Sequence, residues 1–339
     1  MSWLKPHLLS WFKLREAQLA LCIGLLVLLI GLRAPVFLGA ASLGNVLSDG
    51  TLLAMLALAQ MCVIVTRGID LSVASTLALA GMLSALLAVH HPELPVALVV
   101  LAALAVGLLL GLLNGALIGY LQLPPIVVTL GTMSVYRGLV FVLSGGAWVS
   151  SRQMPAAFMA LPLSRFLGVS CLVWFCAGAI CVVGWIVRYS RFGRDLYAIG
   201  NDAVAARYVG IASAPRLCWT YGLSGAMAGL CGYLWVARYA VAYTEIAYGF
   251  EFTVIAACVI GGVSIAGGVG GVTGTLLGAL FLSVINNALP VLQVSPFWQS
   301  ALTGLVILTA VLINARGKIH RGRQILPLHV THTDARTAA

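Results

Sequence analysis

The 64 consecutive residues between Glu251 and Arg316 contain no Lys, Arg, Asp, Glu or His. A second run without charge extends from Leu94 to Tyr136. A soluble domain must turn its loops and outer faces to water and cannot carry such stretches. Lipid is therefore the solvent for most of this chain, and each run has room for two or three membrane-crossing segments of about 20 residues. Of the 339 residues, 8% are charged and 61% hydrophobic, which leaves no space for a large soluble catalytic domain. The net charge of +10 does not mark a nucleic-acid binder, because the bases flank apolar runs and form no stripe on a folded surface. The eight cysteines lack framework spacing and most lie within apolar segments, where they read as small buried hydrophobes rather than disulfides or metal ligands.

Hydropathy predicts an all-α polytopic membrane protein of about ten spans. Their centres lie near Leu26, Leu58, Ala80, Leu108, Val135, Ala177, Gly225, Val259, Leu280 and Leu308. The chain divides into a cytoplasmic N-terminal segment (1–17), a membrane domain (18–315) and a cytoplasmic basic tail (316–339). With a cytoplasmic N-terminus, 14 of the 19 bases fall on the cytoplasmic side, including Arg67, Arg188, Arg191, Arg194, Arg207 and Arg216. That is the positive-inside bias, and it places both termini in the cytoplasm. Gly107, Gly111, Gly115 and Gly119 stack on one helix face, as do Gly270, Gly274 and Gly278, and Gly225 with Gly229. Small residues at this spacing let helix backbones approach closely in lipid, so the spans form a tightly packed bundle.

The segment from Arg188 to Arg216 is the sizeable hydrophilic insertion between spans. Asn201 or Asp202 is placed to cap a short helix over Ala203 to Tyr208, Gly210 to end it, and Pro215 to open the next span. It reads either as a solvated positive loop or as a short interfacial helix pair that docks a cytoplasmic partner.

An energy source is missing. There is no GxxxxGK[ST] loop, and the glycine-rich stretch GGVSIAGGVGGVTG has no Lys and lies between apolar helices. HExxH, CxxC and GxSxG are also absent, so neither metal nor catalytic residues are assigned. Ion-coupled carriers bury carboxylates that bind the ion, and only Asp70, with Asp49 behind it, suits that role.

Four segments carry a family resemblance: TRGIDLSVAS (66–75), LGTMSVYRGL (130–139), AIGNDAVAARYVGI (198–211) and GFEFTVIAACVIGGVSIAGGVGGVTGTLLGAL (249–280), the last followed by SPFWQSALTGLVIL. In this order they resemble the permease subunit of binding-protein-dependent ABC importers for monosaccharides, a family that includes ribose, xylose, galactose, rhamnose and autoinducer-2 systems. The stretch GYLWVARYAVAY (232–243) resembles the rhamnose type first and the autoinducer-2 type next. The single Gly200 before Asn201 departs from the Gly pair commoner in the family, and GFEFTV lacks the family's more usual Asp.

The resemblance implies a compact bundle like that of type II importers in the bacterial inner membrane. It implies a periplasmic sugar-binding protein, a second copy or a paralogue of the permease, and a separate cytoplasmic ABC ATPase that uses the ATP, so this chain needs no cofactor and is not itself an enzyme. The ATPase-coupling loop then comprises Gly200, Asn201, Ala203, Ala205, Ala206, Arg207 and Gly210. The alternative is an ion-coupled secondary sugar carrier or channel. A membrane enzyme acting on lipid-linked sugars is a third class.

Candidate pathway residues are Asp70, Ser72, Asn114, Arg137, Asn286 and Asn287. Asp70 either lines the path at a broken helix or caps the helix that follows, with Arg67 nearby. Arg137 lies within a span, where a charge costs ~2.5–3.5 kcal/mol on insertion scales and demands a partner or a watery cavity. The asparagines offer hydrogen bonds to a neutral sugar or bridge helices. Outside, Arg238, Glu245 and Glu251 are candidates to dock the binding protein, with Tyr239 and Tyr243 at the interface.

Overall fold

The structure is a computed structural model that describes residues 15–293 together with 295, 298, 301, 304, 305, 308 and 309. The basic tail, nearly all of the N-terminal segment and most of the span near Leu308 lie outside the described residues. The described residues form an all-α assembly whose strands are two-residue pairings.

In chain order the helices are α1 (Arg15–Arg33), α2 (Ala40–Val65), α3 (Val73–His90), α4 (Val96–Gly119), α5 (Pro125–Ser144) and α6 (Ala156–Leu163). They continue with α7 (Cys171–Tyr189), α8 (Arg191–Asn201), α9 (Ala203–Tyr208), α10 (Ser213–Tyr239), α11 (Phe250–Ile260) and α12 (Val272–Val291). Strand β1 (Val149–Ser150) pairs antiparallel with β4 (Val241–Ala242), and β2 (Arg165–Phe166) with β3 (Val169–Ser170). Among the described residues, seven helices are long and apolar enough to cross a membrane: α1 to α5, α7 and α12.

Among the described residues, the nine expected spans centred from Leu26 to Leu280 each fall on a helix, with one difference in length. The segment near Val259 is a half-helix, α11, of 11 residues. At 1.5 Å per residue it covers only about 16 Å. The rest of its course is irregular, through the glycine-rich 261–271 loop. Gly261, Gly274 and Gly278 have no room for a side chain, because a Cβ on each would strike backbone across the α11–α12 contact.

The centre of the bundle is α2, α3 and α10. In α2 nearly every residue from Gly50 to Val65 is buried. In contrast α1, α4 and α5 turn Leu25, Leu32, Leu109, Val127 and Val142 outward. Exposed leucine and valine on helices of high mean hydropathy mark the faces that meet acyl chains. The glycine stack forms the closest helix contact. A Cβ at Gly107 would meet the carbonyl of Gly225, one at Gly111 that of Tyr221, one at Gly115 that of Cys218 and one at Gly119 that of Ala214. Helix α10 thus lies along α4 with backbone touching backbone, as the spacing predicts.

Two ends of the bundle are distinct. The inner end, to which the charge bias assigns the cytoplasm, gathers the α2–α3 turn, α8, α9 and the 261–271 loop. The outer end gathers the start of α2, the end of α10, the β1–β4 pairing and the loop before α11.

Candidate functional site

Three places hold the chemistry-bearing residues, and the first is the break between α2 and α3. Arg67 adopts φ 67° at the turn, and the chain re-enters the bundle as α3. Asp70 Oδ1 accepts hydrogen bonds from the Ser72 amide (3.0 Å) and hydroxyl (2.6 Å), which closes an Asx turn at the start of α3. Its Oδ2 accepts from Ser224 on α10 (2.9 Å), while Asn114 on α4 donates to Ser72 Oγ (2.8 Å). Tyr136 on α5 donates to Asn114 Oδ1 (3.3 Å) and to the Leu110 carbonyl (3.0 Å). Asp70, Ser72, Asn114 and Ser224 are buried. The structure therefore brings together three of the pathway candidates, Asp70, Ser72 and Asn114, as the links of a satisfied network joining α3, α4, α5 and α10. None of the three lines the outer cavity described below, and the geometry fits the capping and helix-bridging alternatives.

The second place is the inner end. Asp202 caps α9 by accepting from the amides of Val204 (2.8 Å) and Ala205 (3.0 Å). These bonds to the ionised form hold its carboxyl below the ordinary aspartate range. Gly210, at φ 85°, closes the helix, with its own amide on the Arg207 carbonyl (2.9 Å) and that of Ile211 on Ala206 (3.0 Å).

The preceding helix α8 is locked to the bundle. Arg67 Nε donates to the Gly200 carbonyl (2.8 Å) and its Nη2 to that of Asn201 (2.6 Å). Gly268 donates its amide to the Val65 carbonyl (2.9 Å), and the Tyr197 hydroxyl to that of Gly270 (2.9 Å). A Cβ at Gly200 would overlap the Val65 carbonyl, and one at Gly267 would overlap the Arg67 side chain. Ile199, where the commoner Gly pair would put a second glycine, is packed into the core.

One expected role is corrected here. Ala206, counted in the ATPase-coupling loop, is 3% exposed and packs inward, so it offers no contact surface. The face turned to solvent carries Val204, Tyr208 and Val209, with Ala205, Arg207 and Gly210 beside them, and Ala203 is half-buried. A six-residue helix has one buried row, and the residue at its centre occupies it. Gly210 also meets nothing within 4 Å, so its need for glycine is conformational and not a matter of space.

The third place is a cavity of about 1040 Å³ at the outer end. Ser42, Asn45 and Asp49 line it from one face of α2, and Ser283, Asn286 and Asn287 from one face of α12. Aromatic rings close it: Trp235 and Tyr239 from α10, with Tyr248 and Phe250 before and within α11. Trp235 lies 5.4 Å from the Tyr239 ring and 5.2 Å, edge to face, from Phe250. Asn287 donates to the Ser283 carbonyl of its own helix (3.0 Å). Of the six pathway candidates, Asn286 and Asn287 are the two that reach this space. Asp49, weighed from the sequence only as an ion-carrying acid, stands at the wall paired with Arg238 (2.5 Å). The signals that reveal the cavity are polar residues at i, i+3 and i+7 on α2 and at i, i+3 and i+4 on α12.

The remaining candidates hold the outer loop. Arg137 Nη1 donates to the carbonyls of Thr244 (3.2 Å) and Ile246 (2.7 Å), and its guanidinium lies 5.9 Å from the Tyr248 ring. It acts as a clamp on the loop before α11. Two docking candidates are corrected. Glu251 is 6% exposed and faces the interior near Arg137, because it opens α11 inside the bundle and not on its rim. Arg238 is largely covered and engaged by Asp49. Glu245 alone of the three is exposed.

Residues 42–311 match the family model described as "Branched-chain amino acid transport system / permease component". The chain is 34% identical over 302 residues to the autoinducer 2 import system permease protein LsrC of Salmonella typhi, a match covering 89% of this chain and 86% of that protein. The proteins of the same name from Shigella flexneri and Escherichia coli (strain K12 / DH10B) are each 34% identical over 89% of this chain and 87% of theirs.

Proposed function

Because the chain belongs to the family of transport-system permease components that its residues 42–311 match, we propose that it is the membrane-spanning subunit of an ABC importer for autoinducer-2 or a closely related small sugar. Its relatives are named for autoinducer 2 import, and the sequence motifs resemble the monosaccharide branch of such importers. In this reading a periplasmic binding protein delivers solute to the outer end, a second permease subunit completes the pathway, and a separate ATPase acts on the inner end. The membrane is the bacterial inner membrane, with both termini in the cytoplasm.

The observation that carries the proposal is the build of α8 and α9. A capped helix presents Val204, Tyr208 and Val209 to water, which a mere connector has no reason to do. The helix before it is tied by Arg67 to the turn that contains Asp70. Force applied to α9 is thereby transmitted to the α2–α3 break and the α11–α12 loop, which it adjoins at the inner end.

The family description leaves an amino-acid cargo as a second reading. A zwitterion requires a free base and a free acid together. At the outer cavity wall the acid and the base, Asp49 and Arg238, are already spent on each other, which favours a neutral solute.

The test is reconstitution in proteoliposomes with the ATPase and the binding protein. Autoinducer-2 uptake should require ATP and all three components. The isolated chain should hydrolyse no ATP. Uptake by the permease alone, driven by a proton or sodium gradient, would establish the carrier alternative instead. A photocrosslinker at Val204 should capture the ATPase, and Gly210→Trp, which forces a bulky residue to φ 85°, should abolish capture while the chain still inserts.

A further inference from the structure

The Asp49 carboxylate is held in an unusual way. Arg238 Nη2 and the Tyr239 hydroxyl both donate to Oδ1, at 2.5 and 3.3 Å. Oδ2 receives no hydrogen bond from a described residue. The Arg238 side chain is 13% exposed and Asp49 33% exposed, so the acid faces the cavity and the base stands behind it. Arg238 is not among the cavity-lining residues, and its Nη1 is buried without a partner. The guanidinium cancels the charge of the carboxylate but leaves its outer oxygen free to accept.

We infer that Asp49 is a specificity-determining residue of the outer cavity and that it reads a vicinal diol, two adjacent hydroxyls of a small neutral polyol. Adjacent hydroxyls can both donate to the two lone pairs of the one open oxygen, Oδ2, and bonds to an ionised acceptor are about twice as strong as neutral ones. The opposite, C–H face of such a molecule is apolar and lies against the aromatic wall of Trp235, Tyr239 and Phe250. Asn286, which makes no hydrogen bond among the described residues, supplies a donor and an acceptor from the facing helix. The net neutrality of the Asp49–Arg238 pair keeps anions and cations from competing. This inference rests on the reading of the outer cavity as part of the solute path, and it adds which functional group the cavity recognises and through which atom. Arg238 acts as a positioning residue behind Asp49.

The test uses the purified full-length chain in lipid nanodiscs, where no binding protein contributes its own specificity. Binding of cis-1,2-cyclopentanediol and cyclopentanol, and of cis-1,2-cyclohexanediol and cyclohexanol, is followed by saturation-transfer NMR. The diol of each pair should bind about tenfold more tightly, the factor expected for losing one charge-assisted hydrogen bond. Asp49→Asn, which keeps the shape but not the charge, should erase the preference. Equal binding of diol and mono-ol by the wild-type chain overturns the inference without recourse to any variant, as does an unchanged preference in Asp49→Asn. A separate measurement addresses the path itself: Ser283→Cys, labelled with a bulky thiol reagent in the reconstituted importer, should block uptake. Full uptake after labelling would remove the path reading while leaving the NMR result to stand or fall by itself.

Discussion

Replacing Gly111 by Ala drives a methyl group into the backbone of α10. The added Cβ would sit 2.9 Å from Gly225 Cα and 3.0 Å from Gly225 N, and closer still to the Tyr221 carbonyl oxygen. Carbon–oxygen contacts between packed backbones settle at about 3.3–3.6 Å. Helices α4 and α10 must therefore separate by half an ångström or more, and they share a contact that runs from Ala103 to Gly119. Overpacking of this kind costs about 1–3 kcal/mol, and here the loss extends along the whole stack, since Gly107 and Gly115 are equally tight. Gly131 on α5 is the matched control, because a Cβ there meets nothing within 4 Å. Helix propensity favours Ala at both positions by up to about 1 kcal/mol, so the difference between the two variants isolates the packing term. Unfolding in mixed micelles by SDS titration, followed by far-ultraviolet circular dichroism, measures it. Gly111→Ala should lose about 1–3 kcal/mol relative to Gly131→Ala. If the two variants unfold together, α4 and α10 are not in backbone contact and the account of the glycine stack is wrong.

Further perturbations probe the other sites. Asp70→Ala strands three donors, on Ser72 and Ser224, and should destabilise the chain by about 2–5 kcal/mol, whereas Asp70→Asn should cost far less; the same SDS titration separates them. Arg67→Ala removes both ties from the α2–α3 turn to α8 and should leave ATPase binding intact while transport per ATP hydrolysed falls several-fold. The folded-state carboxyl of Asp202 titrates below its unfolded value of about 3.9. The stability it contributes is thus present above that value and lost only as pH falls through the depressed one. Capture of the ATPase by α9 should accordingly be flat from pH 8 to pH 5, and Asp202→Ala should weaken it across that window.

Which features were legible in the sequence follows from the range of the forces that set them. Span positions, the glycine stack and the Asp202 cap rest on patterns within one helix, and hydropathy or i, i+4 spacing reveals these directly. The half-helix α11 reads as a full span because hydropathy cannot distinguish an apolar helix from an apolar glycine-rich loop. Glu251 looked like a rim charge because its neighbours in the chain, Tyr248 and Glu245, are exposed. It is buried near Arg137, 114 positions earlier in the chain, which clamps the loop before α11. The same logic explains Asp49. Sequence shows an acid near the start of a span, but its partner Arg238 lies 189 residues away, and only their meeting turns a costly charge into a neutral wall. In lipid, where every polar group must find a partner inside the fold, the residues that make a path are those whose partners arrive from afar. For that reason the packing of this permease was readable from one chain segment at a time, and its outer cavity was not.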